Sequence, residues 1–94
     1  MTTFPEAIHN EAQSQFELVL PGGTAVCAYR RHGDVLALVH TETPWALQGQ
    51  GAAAHLVGQV LAWARGHGLK VQPRCSYVAS YLRRHPEHHD LLAD

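Results

Sequence analysis

TPWALQGQGAAAHLV, residues 43 to 57, is the stretch on which the fold turns. Pro44 and Trp45 interrupt the segment before them, and Gln48-Gly49-Gln50-Gly51 then crowds glycines into a short loop. From Gly51 onward apolar side chains fall at Ala53, Leu56, Val57, Val60, Leu61 and Ala64. Those intervals of three and four predict an amphipathic helix. It closes at Gly66 or Gly68, with Arg65 in its last turn, where positive charge suits the dipole. A permissive backbone directly ahead of a helix start is an anion site on physical grounds. The first-turn N–H groups lack helical partners, the dipole favours negative charge, and glycines keep side chains out of the way. A tight turn without a ligand is the plainer reading of the same residues. No Lys-Ser or Lys-Thr follows the glycines, so this is not a P-loop, and the spacing is not the dinucleotide fingerprint.

Before the loop the period is that of strands. FELVL (16 to 20) ends at Pro21-Gly22-Gly23, TAVCAYR (24 to 30) ends at Arg31-His32-Gly33-Asp34, and VLALVHTE (35 to 42) follows. Three short strands with short turns predict an antiparallel meander. After the helix, Leu69-Lys70-Val71-Gln72 reads as a fourth strand stopped by Pro73, and CSYVASYLRR (75 to 84) as a second helix ending before Pro86. The order β-β-β-α-β-α is an α+β layer. A helix that leaves strand three and returns to strand four implies a right-handed crossover, with those two strands parallel or near neighbours. Residues 1 to 14 read as a loose lead-in, and 86 to 94 as a tail with room for one turn.

Ninety-four residues bound this to one domain, 1 to 94, with a modest core that dimerisation would supplement. Hydrophobic and charged fractions of 46% and 16% are those of a globular chain, and a net charge of −1 argues against a nucleic-acid partner. No window approaches a membrane span, and the N-terminus lacks a basic region followed by an apolar run, so no signal peptide is expected. Two cysteines, Cys27 and Cys75, lie far apart without a CxxC pairing, which favours a reduced, cytoplasmic protein. Eight histidines make the charge sensitive to pH near neutrality. Only His85, His88 and His89 cluster; Pro86 interrupts them and no further ligands complete a zinc site, so no metal is expected.

Gln48-Gly49-Gln50-Gly51-Ala52-Ala53 resembles the pyrophosphate loop of GCN5-related N-acetyltransferases, Q/R-x-x-G-x-G/A. Residues 38 to 92 resemble the small single-domain branch of that superfamily more specifically. The likeness rests on His40-Thr41-Glu42, Gly68-Leu69-Lys70-Val71, Pro73, Cys75, Tyr77-Val78, Tyr81-Leu82 and His85-Pro86-Glu87. It implies a mixed sheet with a V-shaped splay between the third and fourth strands, and an acyl-pantetheine arm of acetyl-CoA (CoA) lying in the opening. It also implies that Gln48, Gly49, Gln50, Gly51, Ala52 and Ala53 hold the diphosphate. The second small position of the loop is Ala53 rather than glycine, which the pattern tolerates. The early helices that build much of a typical acceptor pocket are not evident in the sequence, which leaves the acceptor side open or completed by a partner.

Acyl transfer to an amine needs a neutral amine, a polarised carbonyl and a proton for the leaving thiolate. Cys75, at the expected start of the second helix beside Arg74, is placed to have a lowered pKa. The resemblance makes it a candidate for a covalent acyl-cysteine step; a small packing residue is the alternative. His40 and Glu42, two apart, share one face of their strand while Thr41 points the other way. His40 is a candidate base or a structural histidine; Glu42 is a candidate for orienting the amine or a rim residue. Tyr77 and Tyr81 share a helix face; either could protonate the thiolate (Tyr81) or line the pantetheine channel (Tyr77), and core packing is equally open. Trp45 touches cofactor or acceptor, or caps the core. The acceptor is a small amine or a protein amine, and the protein a monomer or homodimer. A catalytically weak or inactive acyl-CoA-binding or protein-interaction module on the same fold is the rival reading.

Overall fold

The computed structural model describes residues 3–93. Five strands form one mixed sheet in the order β1-β2-β3-β4-β5. They are β1 (Ile8–Asn10), β2 (Gln15–Leu20), β3 (Gly23–His32), β4 (Val35–Glu42) and β5 (Lys70–Pro73). Helix α1 (Ala52–Gly66) joins β4 to β5, and α2 (Ser76–Arg84) follows β5. β2, β3 and β4 form the antiparallel meander read from the sequence, while β4 and β5 run parallel. The crossover through α1 permits that parallel pairing, since a short turn could not reverse the chain twice.

One face of the sheet makes the core. Phe16 and Leu18 on β2, Ala25, Cys27 and Tyr29 on β3, and Leu36 and Leu38 on β4 are buried together with Leu56, Val57, Val60 and Leu61 of α1. Val78, Tyr81 and Leu82 bring α2 into the same cluster. Gly58 lets α2 approach, because a Cβ there would stand 3.3 Å from the Tyr81 hydroxyl. Both helices therefore lie on the same side. The other sheet face carries Val19, Arg30, His32, His40 and Glu42, all exposed.

Two stretches are more ordered than the sequence led us to expect. Among the described residues the lead-in is not loose: residues 8–10 pair with β2, and Phe4, Pro5 and Ala7 meet His55 and Gln59 of α1. There the Ala7 N–H donates to Gln59 Oε1 at 2.6 Å and the Pro5 carbonyl meets His55 Nε2 at 3.1 Å. Its weak patterning reflects a short edge strand whose anchors are made to a helix far along the chain. The tail forms a 3-10 helix, Pro86–Leu91, with Leu91 buried. Arg65 grips Asp90 through two hydrogen bonds of 2.7 and 2.9 Å, which hold that carboxyl down at about 2. The Ala93 N–H then donates to the Val71 carbonyl at 2.9 Å, against the far edge of β5. None of the described helices is long and apolar enough to cross a membrane.

Candidate functional site

The loop before α1 is built to leave donors free. Gly51 is the N-cap residue, with φ of 85° and no side-chain cap, and Gly49 has φ of 81°. Both lie in the left-handed region, which a residue with a Cβ enters only at a cost. Neither glycine is forced by crowding: a Cβ on Gly49 would meet nothing within 4 Å, and one on Gly51 only the Phe4 ring at 4.0 Å. Their backbone conformation is what the loop needs. Gln48 and Gln50 turn their amides back to the Thr43 and Ala46 carbonyls, at 3.3 and 3.2 Å, and so pin the loop to the 3-10 helix Trp45–Leu47. The first helical hydrogen bond is from the His55 N–H to the Gly51 carbonyl at 3.0 Å. The N–H groups ahead of it, at Ala52, Ala53 and Ala54, have no helical acceptor and sit behind side chains of a single carbon. They border a cavity of about 480 Å³. Thr41, Leu47 and Tyr77 line its other sides.

The second helix start lies across that cavity. β4 and β5 pair only from Val35 to Leu38 and from Lys70 to Pro73. The Leu38 carbonyl then accepts from both the Arg74 and Cys75 N–H groups, each at 3.0 Å, as the chain turns into α2. β4 runs on to Glu42 without β5, and that parting is the V-shaped opening expected from the sequence. Cys75 is the extended N-cap residue of α2. Its Sγ lies 3.4 Å from the Thr41 hydroxyl. Burial alone would raise this thiol, but the Thr41 hydroxyl and the open N–H groups of Val78 and Tyr77 outweigh it and hold the pKa below the ordinary value. The neutral thiol makes no capping bond; those N–H groups stabilise the thiolate. Cys27 sits opposite Thr41 in register and is wholly buried, and burial pushes it up to about 12. Both cysteines are free thiols.

A bulge decides which side chains join them. Ala28 pairs with His40 and Tyr29 with Leu38, so Val39 is an extra residue on β4. Unbroken alternation would carry the face of Leu36 and Leu38 on to His40 and Glu42. The extra residue reverses it: Thr41 joins Cys27 and Leu38 on the helix side, while His40 and Glu42 stand exposed on the opposite face. Sequence reading kept His40 and Glu42 together, as the structure does. It did not give Thr41 a place in the site, although Thr41 both touches Cys75 and lines the cavity.

Of the tyrosines, Tyr77 lines the cavity, whereas Tyr81 is 8% exposed, stacks on His85 at 4.1 Å and faces Gly58. Burial raises the Tyr81 hydroxyl, as expected of a group kept from solvent. Trp45 is 87% exposed and caps no core. No group of three ligating side chains able to hold a metal occurs among the described residues. His85 instead meets Glu87 at 3.3 Å, and His89 Nε2 meets the Leu82 carbonyl at 2.7 Å, so these rings are tail fasteners.

Residues 15–91 match the profile of the GCN5-related N-acetyl-transferase family. The chain is 33% identical over 81 residues to Protein NATD1 of Mus musculus, a span covering 83% of this chain and 74% of that one. Protein NATD1 of Homo sapiens is likewise 33% identical over 81 residues, with 83% and 72% covered. In Danio rerio the identity is 30% over 81 residues, with 83% and 74% covered. The fold is similar to that of a GCN5-like protein from Staphylococcus aureus, solved by NMR, with a TM-score of 0.70 at 21% identity over 98% of this chain and 91% of that one.

Proposed function

We propose that this chain, which belongs to the GCN5-related N-acetyltransferase family, binds acetyl-CoA along the cavity between the two helix starts and transfers the acetyl group to an amine. The observation that carries the reading is one of placement. The partnerless N–H groups at the start of α1 border one cavity of about 480 Å³ with Thr41, whose hydroxyl on its other side meets the Cys75 Sγ at 3.4 Å. The residues fit the ligand: N–H groups behind glycines and alanines accept a diphosphate without steric cost or charge conflict. Acetyl-CoA supplies the acetyl group as a thioester with a thiol leaving group.

In this reading the N–H groups of Gly49 to Ala53 hold the diphosphate, and Leu47 and Tyr77 wall the route of the pantetheine arm towards the parting of β4 and β5. Cys75 then takes the acetyl group on its thiolate, forming a C–S bond as the bond to the CoA sulfur breaks. The amine attacks that acyl carbon, the Cys75 thiolate is released, and the amine gives up its proton. His40 and Glu42, across β4 on the uncovered face, meet the incoming neutral amine there; Glu42 orients it, and His40 receives the proton that it gives up after attack.

Calorimetric titration with acetyl-CoA and with CoA, on the native protein and on Ala53→Glu, tests the first half. Micromolar binding that vanishes in the folded variant is the expected result; no binding by the native protein at millimolar ligand would sink the reading. Mass spectrometry after incubation with acetyl-CoA tests the second half. It should show one acetyl group on the native protein and none on Cys75→Ser. Binding without acetylation of Cys75 or of any amine would reduce the protein to an acyl-CoA-binding module.

A further inference from the structure

The face of the sheet turned away from the helices holds a second concavity, of about 580 Å³, lined by Arg30, His32, Ala37, Val39 and Arg74. Its floor is low because Ala37 stands between Arg30 on β3 and Gln72 on β5. Arg74 leaves the end of β5 on this face, and its Nε donates to Gln72 Oε1 at 3.1 Å, which holds the guanidinium along the sheet. Among the described residues neither Arg30 nor Arg74 has a carboxylate at ion-pair distance; the one arginine ion pair is Arg65 with Asp90. The carboxylates on this face stand at its other end, Glu17 and Glu42 flanking Val26. Glu17 is already engaged by Asn10 and Gln15, at 2.8 and 2.6 Å. His40 lies between the two ends, opposite Ala28. Successive rows are about 7 Å apart along a strand, so the cationic end is within one small molecule's length of His40.

The groove also adjoins the opening in the sheet. Arg74 and Cys75 share the Leu38 carbonyl, yet Arg74 lines the outer groove while Cys75 meets Thr41 on the helix side. We infer that the groove seats an anionic group of the acceptor, which is therefore a small amine carrying a carboxylate or a phosphate. The anion lies between the Arg30 and Arg74 guanidiniums, which offer paired donors to a planar or tetrahedral oxyanion. The amine then points past His40 into the parting of β4 and β5. This assignment rests on the acetyl-transfer reading for its chemistry, but the anion seat itself does not.

β-Alanine and phosphoethanolamine, set against propylamine and 1,3-diaminopropane as acceptors with acetyl-CoA, test it. One or both anionic amines should give a kcat/KM at least about tenfold above the other two, the scale of a charge-assisted pair. The preferred one tells carboxylate from phosphate. In Arg30→Gln/Arg74→Gln that preference should collapse through KM, with acetyl-CoA affinity unchanged. Equal rates, a preference for the diamine, or a preference that survives the double variant would overturn the inference. Amide NMR shifts at Ala37, Val39 and Arg74 on adding each compound separate the two readings. If no amine is acetylated, shifts with the anionic amines alone sustain the anion seat while the transfer reading fails; absence of such shifts overturns the seat.

Discussion

The two helix starts use one electrostatic device for different charges. Neither α1 nor α2 has a side-chain cap, so both present open N–H groups and the positive end of a helix dipole. At α1 the chain arrives through left-handed glycines and continues in alanines, leaving the donors open to a large external anion. At α2 it arrives extended, and the N-cap residue is itself the group that benefits, a thiol whose ionised form those donors favour. What differs is the side chain at the cap, and that decides whether the field is left open or falls on the protein's own thiol.

Exchanging charge between the two starts tests that contrast most directly. Ala53→Glu should lower acetyl-CoA affinity by roughly a hundredfold or more in calorimetry, since opposed like charges cost several kcal/mol. The fold should persist, because a carboxylate in a first helical turn suits the dipole. Ser76→Glu at the other start should leave acetyl-CoA binding nearly intact but slow alkylation of Cys75. If both variants damaged binding equally, the division of labour would be wrong.

Next in size is the difference between the two cysteines that Thr41 touches. With iodoacetamide, Cys75 should alkylate with a midpoint below pH 9.0, the ordinary thiol value, while Cys27 stays unmodified in the folded protein. Thr41→Val removes the hydroxyl and should raise the Cys75 midpoint, each unit of rise slowing the reaction near neutral pH by about tenfold. An unchanged profile would assign the thiol's acidity to the helix alone.

The lead-in supplies a smaller, pH-dependent effect. His9 stacks on Phe16 at 4.2 Å and meets the Tyr29 hydroxyl at 2.6 Å. Burial lowers its pKa from 6.5, opposed by Glu11 and reinforced by His67. A histidine whose folded pKa is depressed adds stability above its unfolded value of 6.5 and loses it as pH falls from there through the lower folded pKa. Melting temperatures of the native protein should therefore drop on acidification below that point more than those of His9→Gln. Smallest of all, Trp45→Ala should change stability by less than about 0.5 kcal/mol, because the ring is 87% exposed and holds nothing in the core. A larger loss by thermal melting would mean that the ring braces the loop before α1.

Much of the frame was legible because it depends on neighbours in sequence. The alternation of Phe16, Leu18, Ala25, Cys27 and Tyr29, the three-and-four spacing from Leu56 to Ala64, and the turn residues between them placed the elements close to their observed limits. The glycine loop was legible for the same reason. Anchors made across the chain were not, and so β1 escaped notice and the tail, read as having room for one turn, is longer and more firmly held than that: Ala7 reaches Gln59, and Asp90 reaches Arg65. Inside the site, strand parity kept His40 with Glu42 but could not say which side of the sheet they would occupy.

By itself, then, the sequence determined the order of elements, the parallel return through α1 and the open N–H groups ahead of it. Periodicity, capping and backbone freedom are properties of a few consecutive residues. Tertiary structure alone decided that Val39 bulges, that Thr41 turns to Cys75 while His40 and Glu42 turn away, and that Arg30 and Arg74 line one groove with Ala37. A bulge is settled by how two strands pair, and one extra residue reverses every side chain beyond it.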